Sequence, residues 1–235
     1  MHLQVIAHAR NGFTQKFGIP RQSREDSCIE THIIFTHAYR VREALRGIEG
    51  YSHLWLLWGF SEAVRPTSEN DALDWSPTVR PPRLGGNKRM GVFATRSPFR
   101  PNPIGLTSVK LLRVEETAED GMILVVSGAD LLNGTPIYDI KPYLSFSDSH
   151  PDAQCGFAQA TQDYRLEVHI DDKLLAAVLQ LGCPWQAIHE ILSQDPRPAY
   201  QHDPERIYHL DYADWAIDFL VDNATVCVKN IAQKP

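Results

Sequence analysis

The sequence predicts a mainly β protein, with an antiparallel, barrel-like N-terminal domain and a small α+β C-terminal domain. Three observations support this. Most apolar segments in the first 146 residues are five to ten residues long and separated by Gly and Pro. Only one segment there, YRVREALRGI, has helical spacing, so βαβ alternation is absent. Beyond a stretch without periodicity, two helix patterns and three strand patterns close the chain. At 235 residues and 43% apolar, the chain is long enough for one large or two small domains with ample cores.

Taken in order, LQVIAHA alternates loosely and predicts a strand. FTQKFGIPRQSRED predicts a loop, because Gly18 and Pro20 break any regular element. CIETHIIF predicts a second strand, and Val41, Ala44, Leu45 and Ile48 predict a helix over 39–48 that ends at glycine. SHLWLLWGF alternates too little for a half-exposed strand and predicts one buried on both faces. IGLTSVKLLRVEE and GMILVVSG flank AEDG and predict a hairpin, and TPIYDIKPYL predicts a further strand that ends at Lys141-Pro142.

Periodicity disappears across SFSDSHPDAQCGFAQATQD, placing a linker at 147–162 between domains 1–146 and 163–235. YRLEVHI then predicts a strand. DDKLLAAVLQLG and WQAIHEILSQ predict helices, the first with acids at its start and glycine at its end. RIYHLDY, WAIDFLV and ATVCVKNI predict a three-stranded meander.

No apolar run approaches a membrane span, and MHLQVIAHARNG lacks a signal-peptide pattern, so the expected location is cytoplasmic. Cys28, Cys155, Cys183 and Cys227 are scattered without a C-x-x-C pair, which predicts reduced and mostly buried thiols. Ten histidines occur without H-E-x-x-H or an i, i+4 pair, so no metal site is expected.

Charge is concentrated in one place. Trp75 to Val114 holds eight basic residues (Arg80, Arg83, Lys88, Arg89, Arg96, Arg100, Lys110 and Arg113) and no acidic one. The remainder carries 15 Lys and Arg against 29 Asp and Glu. Such a field draws phosphates or other anions to one region. Pro77, Pro81, Pro82, Pro98, Pro101 and Pro103 stiffen the segment, and Gly85-Gly86-Asn87 leaves backbone N–H groups free to face a ligand. A preformed anion-binding wall is the functional reading; a proline-rich surface connection is the plain one.

Neither G-x-G-x-x-G, nor a Walker phosphate loop, nor a G-x-S-x-G elbow is present. Three polar clusters remain: Pro20-Arg21-Gln22, the stretch Arg83 to Asn102, and Asp139-Ile140-Lys141-Pro142-Tyr143. Asp139 reads either as a strand-end carboxylate paired to Lys141 or as an ionised acceptor at the rim of an arginine-walled pocket. Arg96 and Arg100 bracket Ser97-Pro98, and each can fork onto a carboxylate or phosphate.

These motifs are familiar together. TVRPPRLGGNKRMGVFATRSPFRPNPIG, preceded by ALRGIEGYSHLW and followed by DIKPYL, resembles the TrmO (YaeB, TsaA-like) family. DPRPAY, Asp195 to Tyr200, resembles the motif of that family's C-terminal domain, so the likeness spans nearly the whole chain. It implies S-adenosylmethionine-dependent methylation of the exocyclic N6 of threonylcarbamoyl-adenosine beside the tRNA anticodon. It also implies a single-sheeted β-barrel, a homodimer with the cofactor near the subunit interface, and a C-terminal domain that assists with tRNA.

By the same resemblance, the cofactor-binding residues are Pro20, Arg21, Gln22, Arg96 (within A-T-R-S) and Asp139, Ile140 and Lys141 (within D-I-K-P). Ser61-Glu62 stands where relatives carry His-Gln; a backbone contact there survives the change, and a side-chain contact does not. A sulfonium donor calls for aromatic faces or oxygen atoms around it. Asp139, or the carbonyl of Asn102 or Asn87, is a candidate acceptor for the N6 proton. Arg83, Lys88, Arg89 and Arg100 are candidates for tRNA phosphates, and Tyr143 or Phe99 for base stacking. A non-catalytic RNA-binding module and a metal-dependent hydrolase are the rival classes.

Overall fold

The computed structural model describes every residue except 1, 21, 25, 62–74, 82–83, 85–87, 162–163, 199–200, 202 and 235. Of the expected site residues, Arg21, Glu62, Arg83 and Asn87 lie outside the described residues, as does Tyr200 of the C-terminal motif. The chain divides into two compact units. The first comprises 1–10, 31–126 and 134–143; the second comprises 11–30, 127–133 and 144–235.

In the first unit the strands are β1 (Ala7–Arg10), β2 (Glu30–Phe35), β3 (His53–Gly59), β4 (Thr78–Val79), β5 (Met90–Gly91), β6 (Ile104–Thr117), β7 (Gly121–Ser127) and β8 (Pro136–Pro142). Among the described residues, six of them run β1-β2-β7-β6-β3-β8, and β8 returns to pair with β1, closing the barrel. β4 and β5 form a separate two-stranded sheet. Every alternate residue of β3 (Leu54, Leu56, Trp58) and of the first half of β6 (Gly105, Thr107, Val109) points into the barrel. Ile33, Ile123, Val125 and Ile137 fill the same core.

The interior is tight where β3 meets β6. The Trp58 indole N–H donates to Thr107 Oγ1 at 3.0 Å, which satisfies a polar group that burial would otherwise penalise. Its ring lies over Gly105, where an added Cβ would stand 2.2 Å from the indole.

The segment 39–48 departs from the expected helix. It forms short 3-10 turns, Arg42–Leu45 between His37–Tyr39 and Ile48–Gly50, with Gly47 at φ +86 interrupting them. Val41 and Ala44 are exposed, so the helical spacing has no core to face. β3 is likewise not buried on both faces: His53, Trp55 and Leu57 are only half-buried. Continuous burial belongs to β7, where Ile123 to Val126 are all fully buried. Two cysteines, Cys28 and Cys155, are exposed, Cys183 is buried and Cys227 half-buried; all four are free thiols, so the expectation of mostly buried thiols does not hold.

The second unit contains α1 (Ser145–Asp148), β9 (Glu167–His169), α2 (Asp172–Gln180), α3 (Trp185–Ser193), β10 (Tyr208–Tyr212), β11 (Trp215–Asp222) and β12 (Thr225–Gln233). β10, β11 and β12 form the expected antiparallel meander, and β9 adds in parallel beside β12. Asp171 caps α2 by accepting from the N–H groups of Lys173 and Leu174. Ile188, Ile191, Ile217, Phe219 and Val226 are at the centre of the core, joined by Phe13 and Ile29 from the 11–30 segment. That segment is the loop expected from its Gly and Pro, and it is held to the meander by the Ala213 N–H donating to the Gly12 carbonyl at 2.8 Å.

Replacing Gly105 by Ala is expected to lower stability by about 1–3 kcal/mol through overpacking against the hydrogen-bonded indole. Thermal unfolding checks this; an unchanged melting temperature would show that Trp58 is free to move aside.

Candidate active site

The candidate site is on the outer face of β3 and β8. In their antiparallel ladder Leu56 faces Ile140, Leu57 faces Asp139, and Trp55 faces Lys141. Because Leu56 points into the barrel, Ile140 shares the inward side, and Asp139 and Lys141 point outward beside Leu57 and Trp55. The register shifts between Leu57 and Trp58, whose partner is Ile137, leaving Tyr138 as the extra residue of a bulge. Bulges re-aim the side chains that follow them, and the next one here is Asp139.

The Asp139 carboxylate is held at both oxygens. Oδ1 accepts from the Ile140 N–H at 3.0 Å, and Oδ2 pairs with Lys141 Nζ at 2.8 Å. Among the described residues its ion-pair partner is Lys141 and not one of the arginines. Both groups are well exposed, so the pair adds little to stability and remains available to a ligand. Tyr143 continues the face: its N–H donates to the His53 carbonyl, and its ring lies 5.5 Å from Trp55 and 6.1 Å from His53. Trp55 and His53 were missed in the sequence because HLWLLWG read as uniformly buried; period-two spacing separates them from Leu54, Leu56 and Trp58, but with apolar residues in both sets it does not tell which faces out.

The basic segment reaches the barrel where β3 ends and β6 begins. The Phe60 N–H donates to the Pro103 carbonyl at 3.0 Å, bringing exposed Ser61 and Asn102 to that end. The Asn102 backbone carbonyl accepts from Ile104 N–H at 2.7 Å, which leaves the side-chain carbonyl for any acceptor role. Arg96 is exposed within the 95–100 turns. Arg100 is half-buried and gives Nη1 to the Thr95 carbonyl at 3.3 Å. Arg89 Nη1 donates to Thr78 Oγ1 at 3.1 Å, while Lys88 is exposed. Pro20 and Gln22 are half-buried in the second unit's 11–30 segment. Among the described residues no group of three His, Cys, Asp or Glu is placed to hold a metal, and no helix is long and apolar enough to cross a membrane.

Residues 8–149 match the model of the tRNA-methyltransferase O N-terminal domain, and residues 163–234 match that of the TrmO C-terminal domain. The chain belongs to the TrmO family. The tRNA (adenine(37)-N6)-methyltransferase of Escherichia coli K12 is 41% identical over 93% of this chain and 90% of its own. The enzyme of the same name from Eikenella corrodens is 46% identical over 77% of this chain and 97% of its own. A crystal structure of TrmO from Pseudomonas aeruginosa superposes with a TM-score of 0.72 at 30% identity, covering 99% of this chain and 98% of the other.

In the TrmO C-terminal domain of this chain, the D-P-R-P-A-Y motif forms a buried ion pair. Arg197, only 6% exposed, donates through Nε to Asp195 Oδ1 at 2.8 Å and through Nη2 to Oδ2 at 3.0 Å. The Tyr164 hydroxyl donates to the same carboxylate at 3.1 Å. Burial, then the Asp195 charge, raises the Tyr164 pKa above its ordinary value. Burial works to lower the Arg197 pKa, but the Asp195 bond and charge prevail and raise it.

Arg197→Met is expected to destabilise the domain by about 3–5 kcal/mol, because it strands a buried carboxylate. Denaturant unfolding of the full chain checks this, and a loss below about 1 kcal/mol would show that water reaches Asp195.

Proposed function

We propose that this chain methylates N6 of threonylcarbamoyl-adenosine at position 37 of tRNA, beside the anticodon, using S-adenosylmethionine. The observation that carries this reading is the end-to-end likeness to enzymes named tRNA (adenine(37)-N6)-methyltransferase, on a barrel whose outer face presents Asp139, Lys141, Trp55 and Tyr143 together. A relative from Pseudomonas aeruginosa, 38% identical over 86% of this chain, is described as a candidate S-adenosylmethionine-dependent methyltransferase. Work on tRNA suits a cytoplasmic location.

The residues on this face suit S-adenosylmethionine. Aromatic faces and a carboxylate attract a sulfonium cation, and an ammonium suits the amino-acid carboxylate of the same molecule. Asp139, the Ile140 main chain and Lys141, with Ser61, Glu62 and Arg96, are the proposed cofactor-binding set of the first unit; Pro20, Arg21 and Gln22 of the second unit are proposed on the family resemblance alone. When bound, S-adenosylmethionine would supply an electrophilic methyl carbon whose bond to sulfur breaks with its electron pair staying on sulfur, so that S-adenosylhomocysteine leaves.

The chain's own task is to orient the nucleophile and take its proton. N6 of the modified adenosine carries one hydrogen, and its lone pair is spread into the ring and the carbamoyl group. A carboxylate oxygen of Asp139 accepting that N–H localises the pair toward the carbon and receives the proton as the N–C bond forms. Asn102 and Asn87 supply further carbonyl acceptors that align the N–H. Arg83, Lys88, Arg89 and Arg100 meet tRNA phosphates, and Tyr143 offers a ring to the target base. Holding donor and acceptor in line contributes much of the rate.

A second copy of the chain completes the proposed assembly. Ile104 and Leu106 are exposed on the outward side of β6, where Leu106 pairs with half-buried Leu57, and such an apolar patch suits a self-complementary interface.

Nucleoside mass spectrometry of tRNA incubated with the chain and S-adenosylmethionine is expected to show methylated threonylcarbamoyl-adenosine; unmodified tRNA would overturn the reading. Asp139→Asn should lower kcat about 10²- to 10⁴-fold with the KM for tRNA little changed, and an unaltered kcat would remove Asp139 from the proton's path. Alanine at Lys88, Arg89 or Arg100 should weaken tRNA binding and reduce the slope of log affinity against log salt by about one; unaltered slopes in all three would place the phosphates elsewhere. Leu106→Glu is expected to yield monomers in sedimentation, and an intact dimer would move the interface to another face.

A further inference from the structure

The Tyr143 ring packs beside Trp55, and Phe99 is the other stacking candidate named by the sequence, at 47% exposure. A third ring is more open than either. Phe93 is 71% exposed, on a 3-10 turn (Val92–Ala94) that is firmly anchored. Val92 next to it is buried; its N–H donates to the Pro77 carbonyl at 2.9 Å, and its carbonyl accepts from Thr95 Oγ1 at 2.8 Å. The Trp75 ring stands 5.6 Å from the Phe93 ring at 40° and backs it. Phe93 is therefore a braced ring held outward.

Its neighbourhood is cationic. The β4–β5 ladder pairs Thr78 with Gly91, and Arg89 is fixed on Thr78, so a guanidinium is brought to the strand pair that carries Phe93. Exposed Arg80 and Lys88 border the same two strands, and no acidic residue occurs from 75 to 114. An isolated exposed Phe needs no explanation. An aromatic pair beside the Arg89 guanidinium, on a segment rich in basic residues, has the two features that single-stranded nucleic acid requires, a π-face for a base and positive charge for its backbone.

We propose that Phe93, backed by Trp75, is a stacking platform for an unpaired nucleobase of the substrate RNA, with Arg89 and Lys88 meeting the adjoining phosphates. The proposal rests on the RNA-methylation reading and adds to it a positioning residue outside the β3–β8 face. It makes Phe93 a determinant of how the loop is held and leaves donor binding untouched.

The test uses the full chain and hairpin RNAs of the anticodon stem and loop, with 2-aminopurine placed at each loop position in turn. Wild-type binding is expected to quench one of these probes. Phe93→Ala should abolish that quench and weaken RNA binding roughly 5- to 100-fold, whereas Phe93→Trp should retain both. Calorimetric binding of S-adenosylmethionine should be the same in all three proteins. If the wild type binds none of the hairpins, the methylation reading fails and this proposal with it. If the wild type binds but Phe93→Ala binds and quenches equally, the stacking role alone is overturned. Loss of RNA binding together with loss of the second copy in sedimentation would make Phe93 a packing residue and overturn the proposal as well.

Discussion

β3 is paired on both edges, to β6 and to β8, and its side chains can alternate in only one sense. Trp58 fixes that sense: its ring needs the empty space over Gly105 and its N–H needs Thr107, and both are inside the barrel. Once Trp58 points inward, Leu54 and Leu56 must follow, and Trp55 and Leu57 must face out. The β8 ladder then carries Asp139 and Lys141 to the same outer surface, with the Tyr138 bulge absorbing the mismatch. A one-residue slip would turn the carboxylate and ammonium toward the apolar interior, which burial strongly opposes. Core packing and site geometry are thus two consequences of one register.

The basic segment meets the barrel at a different point of the same strand. Phe60 bonds to Pro103 just past the end of β3, so the turns holding Arg96 and Arg100 leave from the end of the barrel wall that bears Asp139. Much of this segment's polar capacity is spent on its own shape: Arg100 on the Thr95 carbonyl, Arg89 on Thr78, and Thr95 on Val92. Such internal bonds preorganise a cationic surface, so less ordering remains to be done when an anion arrives. In the second unit the Asp195–Arg197 pair has a different character, because it is buried and its role is cohesion.

The parts legible in the sequence were those set by local pattern. β6 follows from alternation, β7 from the AEDG turn that joins it to β6, β8 from an apolar run ended by Lys141-Pro142, α2 from its acidic start and glycine end, and the meander from three apolar runs. What stayed hidden depended on partners far along the chain. Residues 39–48 have helical spacing but no surface to bury it on, so short 3-10 turns result. HLWLLWG carries apolar residues on both faces, and only the ladder reveals which face is outside. The 11–30 segment reads as a loop, and nothing local announces that Phe13 and Ile29 belong to the core of the second unit. Val92 and Phe93 are adjacent apolar residues, and spacing alone does not tell that the first is buried and the second exposed.

The methyl donor is proposed to sit on the outer β3–β8 surface rather than inside the barrel. Isotope-filtered NMR with S-adenosylmethionine labelled at its methyl carbon reads this directly. Through-space contacts from that methyl to the ring protons of Trp55 and Tyr143 are the expected outcome. Contacts confined to inward side chains such as Leu56 and Val109, or to residues of the second unit alone, would place the donor elsewhere and refute the claim.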